Sequence, residues 1–473
     1  MRLPVILTLS SALLFTLGAP AFSDVIHLKN GRTIWADEVR EKGAHIEYEV
    51  GEDTYAIPKS MVDRIESGGS SQVAGTVPKD SRELPALHPS DNSTAHTAGL
   101  EGVIRDGHPD DRELSRLEAL GDSSTTSAAY FLAGKNEFEH GNFPKARTYL
   151  DSALRFDGEN PSILNYYAAL LVKTGHASEA LPYAEHAVRV APESPDTLTV
   201  LGYVQYAADR DQDAIRTWKH ALELRSDPTV KQLLEKAERD ATVQAGYSER
   251  ESSHFTLRYE GQQTSDQLRS QILAVLEADY DDLVRQLGVA PRNSIAVVLY
   301  TAQAFFDVTR APSWSSAIND GKLRIPIQGL SSVTPELARV LKHELAHSFV
   351  NQLSGGRCPQ WLNEGIAQLL EPKAIAQGRE LAGLYRAQRA IPLNMLEGSF
   401  AQLSPIQATI AYEESLAATE YISDTSGRDE LPRILERIGQ GSSTEAALRE
   451  IVHSDYRQLE SELGKYLSDK YGN

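Results

Sequence analysis

Apolar and polar positions alternate in short runs between Val25 and Ile57, the period of strands with one covered face. Val25-Ile26-His27-Leu28-Lys29 and Arg32-Thr33-Ile34-Trp35 flank Asn30-Gly31, a two-residue hairpin loop. The alternation resumes in Ala44–Val50 and Thr54–Ile57, so residues 24–66 predict a small curled sheet or partial barrel, a docking or stabilising β module. Residues 67–126 carry many Ser, Gly, Thr, Asp and Pro and few large apolar side chains, which predicts a disordered linker.

From residue 127 the pattern is helical and repeats every 34 residues. Ala146, Ala180 and Ala214 occupy one repeat position, and Ala153, Ala187 and Ala221 another. Gly134 and Gly202 share a position, as do Gly141 and Gly175, and Asn-Pro, Ala-Pro and Asp-Pro pairs close the units. Small residues let paired helices approach closely, and proline stops the second helix. Residues 127–228 resemble three tetratricopeptide repeats, with Ala168 in place of a first-helix glycine and Asp209 in place of a turn glycine. The resemblance implies a superhelical stack that binds a protein substrate or partner, or serves as a spacer. Residues 229–250 read as its capping helix.

Near Ser253 the periodicity changes again. Phe255–Tyr259, Ile295–Tyr300 and Lys322–Ile327 predict strands, the last an edge strand because of Pro326 and open to pairing with an extended peptide. Residues 264–287 predict a long amphipathic helix, and the chain is mainly helical after Thr334. Residues 254–471 are therefore an α+β domain.

Charge and leader narrow the possibilities. Net charge is −19 with no long basic run, which disfavours nucleic acid as a partner. A single cysteine, Cys358, excludes both an intramolecular disulfide and a cysteine-based zinc site. Met1-Arg2, an apolar run from Leu3 to Leu17 and small residues up to Ser23 predict a cleaved signal peptide over 1–23. The expected location is the periplasm or the medium, with no membrane span in the mature chain.

The chemistry concentrates after residue 334. Thr334-Pro335-Glu336 has the pattern of a helix start, and Leu337, Leu341, Leu345 and Phe349 give that helix an apolar stripe. It carries His343-Glu344-Leu345-Ala346-His347. Histidines at i and i+4 share a face and reach one ion, while Glu344 projects about 100° away and is free to act as a base on a water. The alternative is a pair of core histidines. Trp361-Leu362-Asn363-Glu364-Gly365-Ile366-Ala367-Gln368 then opens a second helix, and Glu364 is placed to be a third ligand.

The two segments together resemble the gluzincin metallopeptidases, the peptidase MA-like domains and catalytic cores of zinc aminopeptidases, whose paired signatures are His-Glu-x-x-His and Asn-Glu-Gly-x-Ala. The metzincin pattern is absent, since Val350 and Leu353 occupy its glycine and histidine positions. The resemblance implies a zincin-type fold over 254–471, Zn²⁺ held by His343, His347 and Glu364, and Glu344 as general base. It also implies an oxyanion-stabilising tyrosine: Tyr412, in Ala411-Tyr412-Glu413-Glu414-Ser415, fits that pattern, and Tyr421 is its rival. Gln368 occupies the position where some relatives have an acid that orients a ligand histidine. Cys358 reads as a small buried side chain rather than a nucleophile.

The expectation is thus a multidomain exported zinc metallopeptidase acting on a peptide or protein substrate, with a β module and a tetratricopeptide solenoid. The alternative is a repeat-based scaffold with an inactive peptidase-like domain.

Overall fold

The computed structural model describes residues 24–28, 33–36, 38–43, 45–50, 53–66 and 100–472, the last with short breaks at 262–263, 292, 310–316, 328, 372 and 401–402. The expected signal peptide, the Asn30-Gly31 turn and residues 67–99 of the expected linker lie outside the described residues. Two compact units divide the chain, Met1–Thr76 and Val77–Asn473.

In the first unit β1 (Asp24–Leu28) pairs antiparallel with β2 (Thr33–Ala36). Strands β3 (Glu38–Lys42), β4 (His45–Val50) and β5 (Asp53–Pro58) form a second antiparallel sheet, and β6 (Val62–Glu66) returns to β1. Ile26 and Ile46 are fully buried, with Val39, Tyr48, Ile57, Val62 and Ile65 packed around them.

The second unit begins earlier than the composition predicts. Residues 100–126 are folded: β7 (Ile104–Arg105) and β8 (His108–Pro109) form a two-stranded ladder, followed by α1 (Asp111–Ala119). Four apolar residues, Leu100, Val103, Leu114 and Leu117, suffice because Ala129 and Ala133 of α2 (Ser123–Glu139) complete their core. Asp110 and Asp122 cap the two helices through their carboxylates.

Helices α2 and α3 (Phe143–Phe156), α4 (Pro161–Lys173) and α5 (Ala177–Val190), and α6 (Pro195–Ala207) and α7 (Asp211–Leu224) form three antiparallel pairs, and α8 (Pro228–Gln244) closes the stack. The second helices start at Phe143, Ala177 and Asp211, keeping the 34-residue step. A Cβ on Gly134 would meet Leu150 at 2.7 Å, and one on Gly202 would meet Trp218 at 2.4 Å. In the middle repeat the register puts Ala184 opposite Ala168, so the missing glycine is offset by a smaller neighbour.

The capping helix is shorter than its sequence predicts. It ends at Gln244, and after Gly246 (φ +103°) the chain enters β9 (Ser248–Glu251), which pairs antiparallel with β10 (Phe255–Tyr259). With β11 (Ile295–Tyr300), β12 (Ile318–Asn319) and β13 (Leu323–Pro326) these make a mixed five-stranded sheet in the order β12-β13-β11-β10-β9. β13 is therefore interior, not an edge. β12 covers only Leu323 and Arg324, so Pro326 lies beyond the ladder that its missing N–H would interrupt.

Long α9 (Asp266–Leu287) and α10 (Ala302–Thr309) precede the last strands. Seven helices complete the unit: α11 (Pro335–Ser354), α12 (Gln360–Leu370), α13 (Gly378–Arg386), α14 (Pro405–Ser426), α15 (Glu430–Gly439), α16 (Thr444–Ile451) and α17 (Tyr456–Tyr471). One continuous apolar core runs from Phe255 to Leu467 and includes the whole Leu337, Leu341, Leu345, Phe349 stripe.

The turn inside each helix pair docks on this second half of the unit. Arg357 lies against Gly141 and donates to the carbonyls of His140 (3.4 Å) and Ile438 (2.8 Å). At Gly175 the carbonyl accepts from Asn293 (2.8 Å), and Gln352 lies alongside. Asp209, in left-handed conformation (φ +62°), pairs with Arg258 and Lys322.

Candidate metal centre

Thr334 caps α11 by accepting from the Leu337 N–H (3.2 Å), and Gly355 ends it in left-handed conformation (φ +59°). The helix lays its apolar stripe on the core, which brings His343 and His347 to one face with ring centroids 4.8 Å apart.

Helix α12 presents Glu364 to that face because of Gly365. A Cβ there would come within 2.1 Å of Thr419 Oγ1 and 2.2 Å of the Ser415 carbonyl, so only glycine lets α12 and α14 cross this closely. The same crossing brings Tyr412, on α14, to the side of Glu364 and Glu344: burial first, then these two carboxylates, push its phenol well above the ordinary range. Tyr421 is nine positions further, about half a turn round the helix. Its hydroxyl donates to Glu462 of α17 (2.8 Å) and it faces away from the histidines.

The ligand atoms of His343, His347 and Glu364 all lie within 4.8 Å of one another. Glu364 Oε2 is 3.3 Å from His343 Nε2 and 3.8 Å from His347 Nε2. Glu364 Oε1 accepts from Gln360 (2.8 Å), but Oε2 is buried with no hydrogen-bond partner. A buried carboxylate oxygen that faces two imidazole nitrogens without a hydrogen bond is costly, and a cation there removes the cost. Two imidazoles and one carboxylate are a donor set that zinc takes. The residues present thus fit a zinc ion.

Electrostatics agree with a cation site. Burial opposes a charged His343, yet Glu364 and Glu371 outweigh it and lift the imidazole to about 10. Glu364 is held below its ordinary value: burial acts upward, and His347 and His343 overcome it. Glu344 is buried and lifted to about 7, with His343 acting downward and Glu364 and Glu371 upward. A carboxylate near 7 is matched to taking up and releasing a proton at neutral pH.

The surroundings contain residues that the sequence alone did not reveal. His347 Nδ1 lies 2.9 Å from Asn363 Oδ1, an acceptor, so that nitrogen carries the proton and Nε2 faces the site. Glu371 Oε1 is 3.5 Å from His343 Nδ1. Asn363 is on α12 and Glu371 is its C-cap residue, and the spacing of seven between Glu364 and Glu371 is the signal that puts them on one face. Gln368 donates to the Tyr412 carbonyl (2.9 Å) and accepts from Lys373 (3.0 Å). Asn319, on the edge strand β12, donates to the Glu344 carbonyl and to Ser348, each at 2.7 Å, and so ties the strand to the histidine helix. Cys358 is half-buried, and burial pushes its thiol well above its ordinary value, which disfavours the nucleophilic thiolate.

The Peptidase MA superfamily matches this chain over residues 279–469, a stretch that holds His343, Glu344, His347, Glu364 and Tyr412. A peptidase-like domain is therefore present. No curated protein matches. Among solved structures 28 chains match. One is the OM64 TPR domain of Arabidopsis, 18% identical over 26% of this chain and 97% of that chain, with a TM-score of 0.24. No helix among the described residues is long and apolar enough to cross a membrane.

Proposed function

We propose that this protein is a zinc-dependent peptidase of the gluzincin type, exported to the periplasm or medium, whose tetratricopeptide-like helix pairs bind a protein substrate or partner. The observation that carries the reading is the orphaned Glu364 Oε2 between His343 Nε2 and His347 Nε2. Export rests on the leader pattern of residues 1–23.

In this reading His343, His347 and Glu364 hold the ion. Bound zinc supplies a Lewis acid that makes a water nucleophilic near pH 7. Glu344 takes the proton of the water that attacks the peptide carbonyl and passes it to the leaving amine. The Tyr412 hydroxyl donates a hydrogen bond to the oxygen on which negative charge develops. The edge strand β12, held on α11 by Asn319, gives an extended substrate a backbone to pair with.

The test is metal analysis of the purified protein joined to cleavage of a peptide library with and without chelator. About one zinc per chain and chelator-sensitive cleavage are expected. Glu344→Gln should keep the zinc and lose roughly 10²–10⁴ in rate, whereas Glu364→Ala should lose the metal. A zinc-loaded protein that cleaves no peptide points to the scaffold alternative, and full activity in Glu344→Gln overturns the mechanism.

A further inference from the structure

The hairpin that carries the edge strand is bound on two sides to different parts of the unit. β12 and β13 are joined through Gly321 (φ +105°), whose N–H donates to Asn319 Oδ1 (3.1 Å). On one side Asn319 holds the Glu344 carbonyl and Ser348 of α11, and Leu323 and Ile325 are fully buried in the apolar core. On the other side Asp320, Lys322 and Arg324, at alternate positions, all reach the helix stack. Lys322 pairs with Asp209 (2.6 Å) and Asp211 (3.0 Å), and Arg324 pairs with Asp240. Asp320 Oδ2 accepts from Lys236 of α8 (2.5 Å), while its Oδ1 accepts from Arg324 Nε (2.9 Å).

We propose that Lys236 is a positioning residue for the substrate: through Asp320, the closing helix of the stack fixes where β12 lies over α11, which makes the helix pairs a working part of the peptidase cleft. The inference rests on the peptidase reading above. Three observations support it. β12 is two residues long and its ladder with β13 has two residue pairs, too little pairing to hold an edge in place by itself. Asp320 directly follows Asn319, so an anchor on its carboxylate is an anchor on the strand; α11 is already fixed by its apolar stripe, and β12 is the part left to be placed. The Lys236 and Asp320 side chains are 13% and 15% exposed, which shields the pair from salt and makes it stronger than a surface bridge. Removing Lys236 leaves Asp320 with Arg324, and Arg324 with Asp240, so the strand loosens while the rest of the contact stays.

The experiment compares the full-length wild type with Lys236→Met, which keeps most of the stem and loses the ammonium. Two substrates are used: a peptide that the wild type cleaves, extended by several residues on both sides of the scissile bond, and the same peptide cut back to the residues flanking that bond. In Lys236→Met the KM of the long peptide should rise about fivefold, the worth of about one net hydrogen bond, with kcat and zinc content unchanged. The KM of the short peptide, which does not reach along the strand, should stay at the wild-type value. Hydrogen–deuterium exchange, read without substrate, should be faster at the amides of residues 317–321. Wild-type KM and wild-type exchange in the variant overturn the proposal. Equal losses on both peptides, or lost zinc, also overturn it, because they report a general loosening rather than a misplaced strand. If Lys236→Met does not fold, Asp320→Asn decides by the same readouts. A wild type that cleaves no peptide removes the peptidase reading and this inference together, whereas a cleaving wild type with an unmoved KM in the variant removes this inference alone.

Discussion

Arg324 and Asp240 meet in a two-pronged ion pair, Nη1 to Oδ1 at 2.6 Å and Nη2 to Oδ2 at 2.8 Å, with both side chains withdrawn from solvent. Arg324 is on β13 of the mixed sheet and Asp240 on α8, which closes the helix pairs. Tyr206 and Tyr300 donate or accept at the same charges, Asp320 takes the Arg324 Nε, and Lys236 pairs with Asp320. The stack and the sheet thus share a buried polar junction.

Breaking that junction on one side should be costly. Asp240→Ala leaves a buried guanidinium without its main partner, and about 3–5 kcal/mol of stability should be lost, read by urea denaturation. Residues 254–471 expressed alone lose Asp209, Asp211, Lys236 and Asp240 together and should fail to fold cooperatively. A soluble, cooperatively melting 254–471 fragment would show that the junction is dispensable.

Tyr412→Phe should reduce kcat by roughly 10²–10³ with little change in KM, because the hydroxyl acts on charge that develops only in the transition state. Tyr421→Phe should leave turnover unchanged, since its hydroxyl is bound to Glu462. Steady-state kinetics on one cleaved peptide separates the two; equal losses would remove Tyr412 from its assigned role.

Gly365→Ala should destabilise by about 1–3 kcal/mol or more and displace Glu364, because the new methyl has no room against Thr419 and Ser415. Adding Thr419→Ala relieves only the hydroxyl and leaves the Ser415 carbonyl in the way. Recovery of full stability and zinc content in the double variant would show that the backbone yields.

Glu414 is fully buried and lifted to about 8, by burial first and by Glu460, while the Ile391 N–H acts downward. Its pKa in the fold is above its unfolded value, so the native state binds the extra proton between about pH 4.5 and 8. This group's contribution to stability is complete at low pH and is lost as pH rises through that window. Glu414→Gln should therefore flatten the decline of melting temperature toward pH 9, an effect on the order of a few kcal/mol at the alkaline end. A wild-type melting temperature with the same pH slope as the variant would contradict this.

The chemistry was legible where it is local. His343 and His347 are one turn apart on a helix whose start and apolar stripe are both written in the sequence. Glu364 follows 16 residues later in a recognisable segment. What surrounds them was not legible, because it depends on which face of α12 meets α11, and that is set by the α12–α14 crossing at Gly365. Asn363 and Glu371 follow from that crossing. The 34-residue step was plain, but the reason for Asp209 was not: its carboxylate serves Arg258 and Lys322, far along the chain. Residues 100–126 looked unstructured because their few leucines are covered by residues far from them in pattern, Ala129, Tyr130, Leu132 and Ala133 of α2 and Tyr149 of α3.

Gly141, Gly175 and Asp209 act as three footings laid at a constant stride, and each rests on its own counterpart: Arg357, Asn293 with Gln352, and Arg258 with Lys322. A stride of that kind is a ruler. Inserting or deleting one helix pair inside the array would carry every later footing past its counterpart and leave Arg258 and Lys322 without their shared acid. The array can change length only at its first pair, and there Leu100, Val103 and α1 already close it. The copy number of three is thus counted by the surface underneath, and substitutions in these repeats are constrained by what lies below each turn as much as by the stack itself.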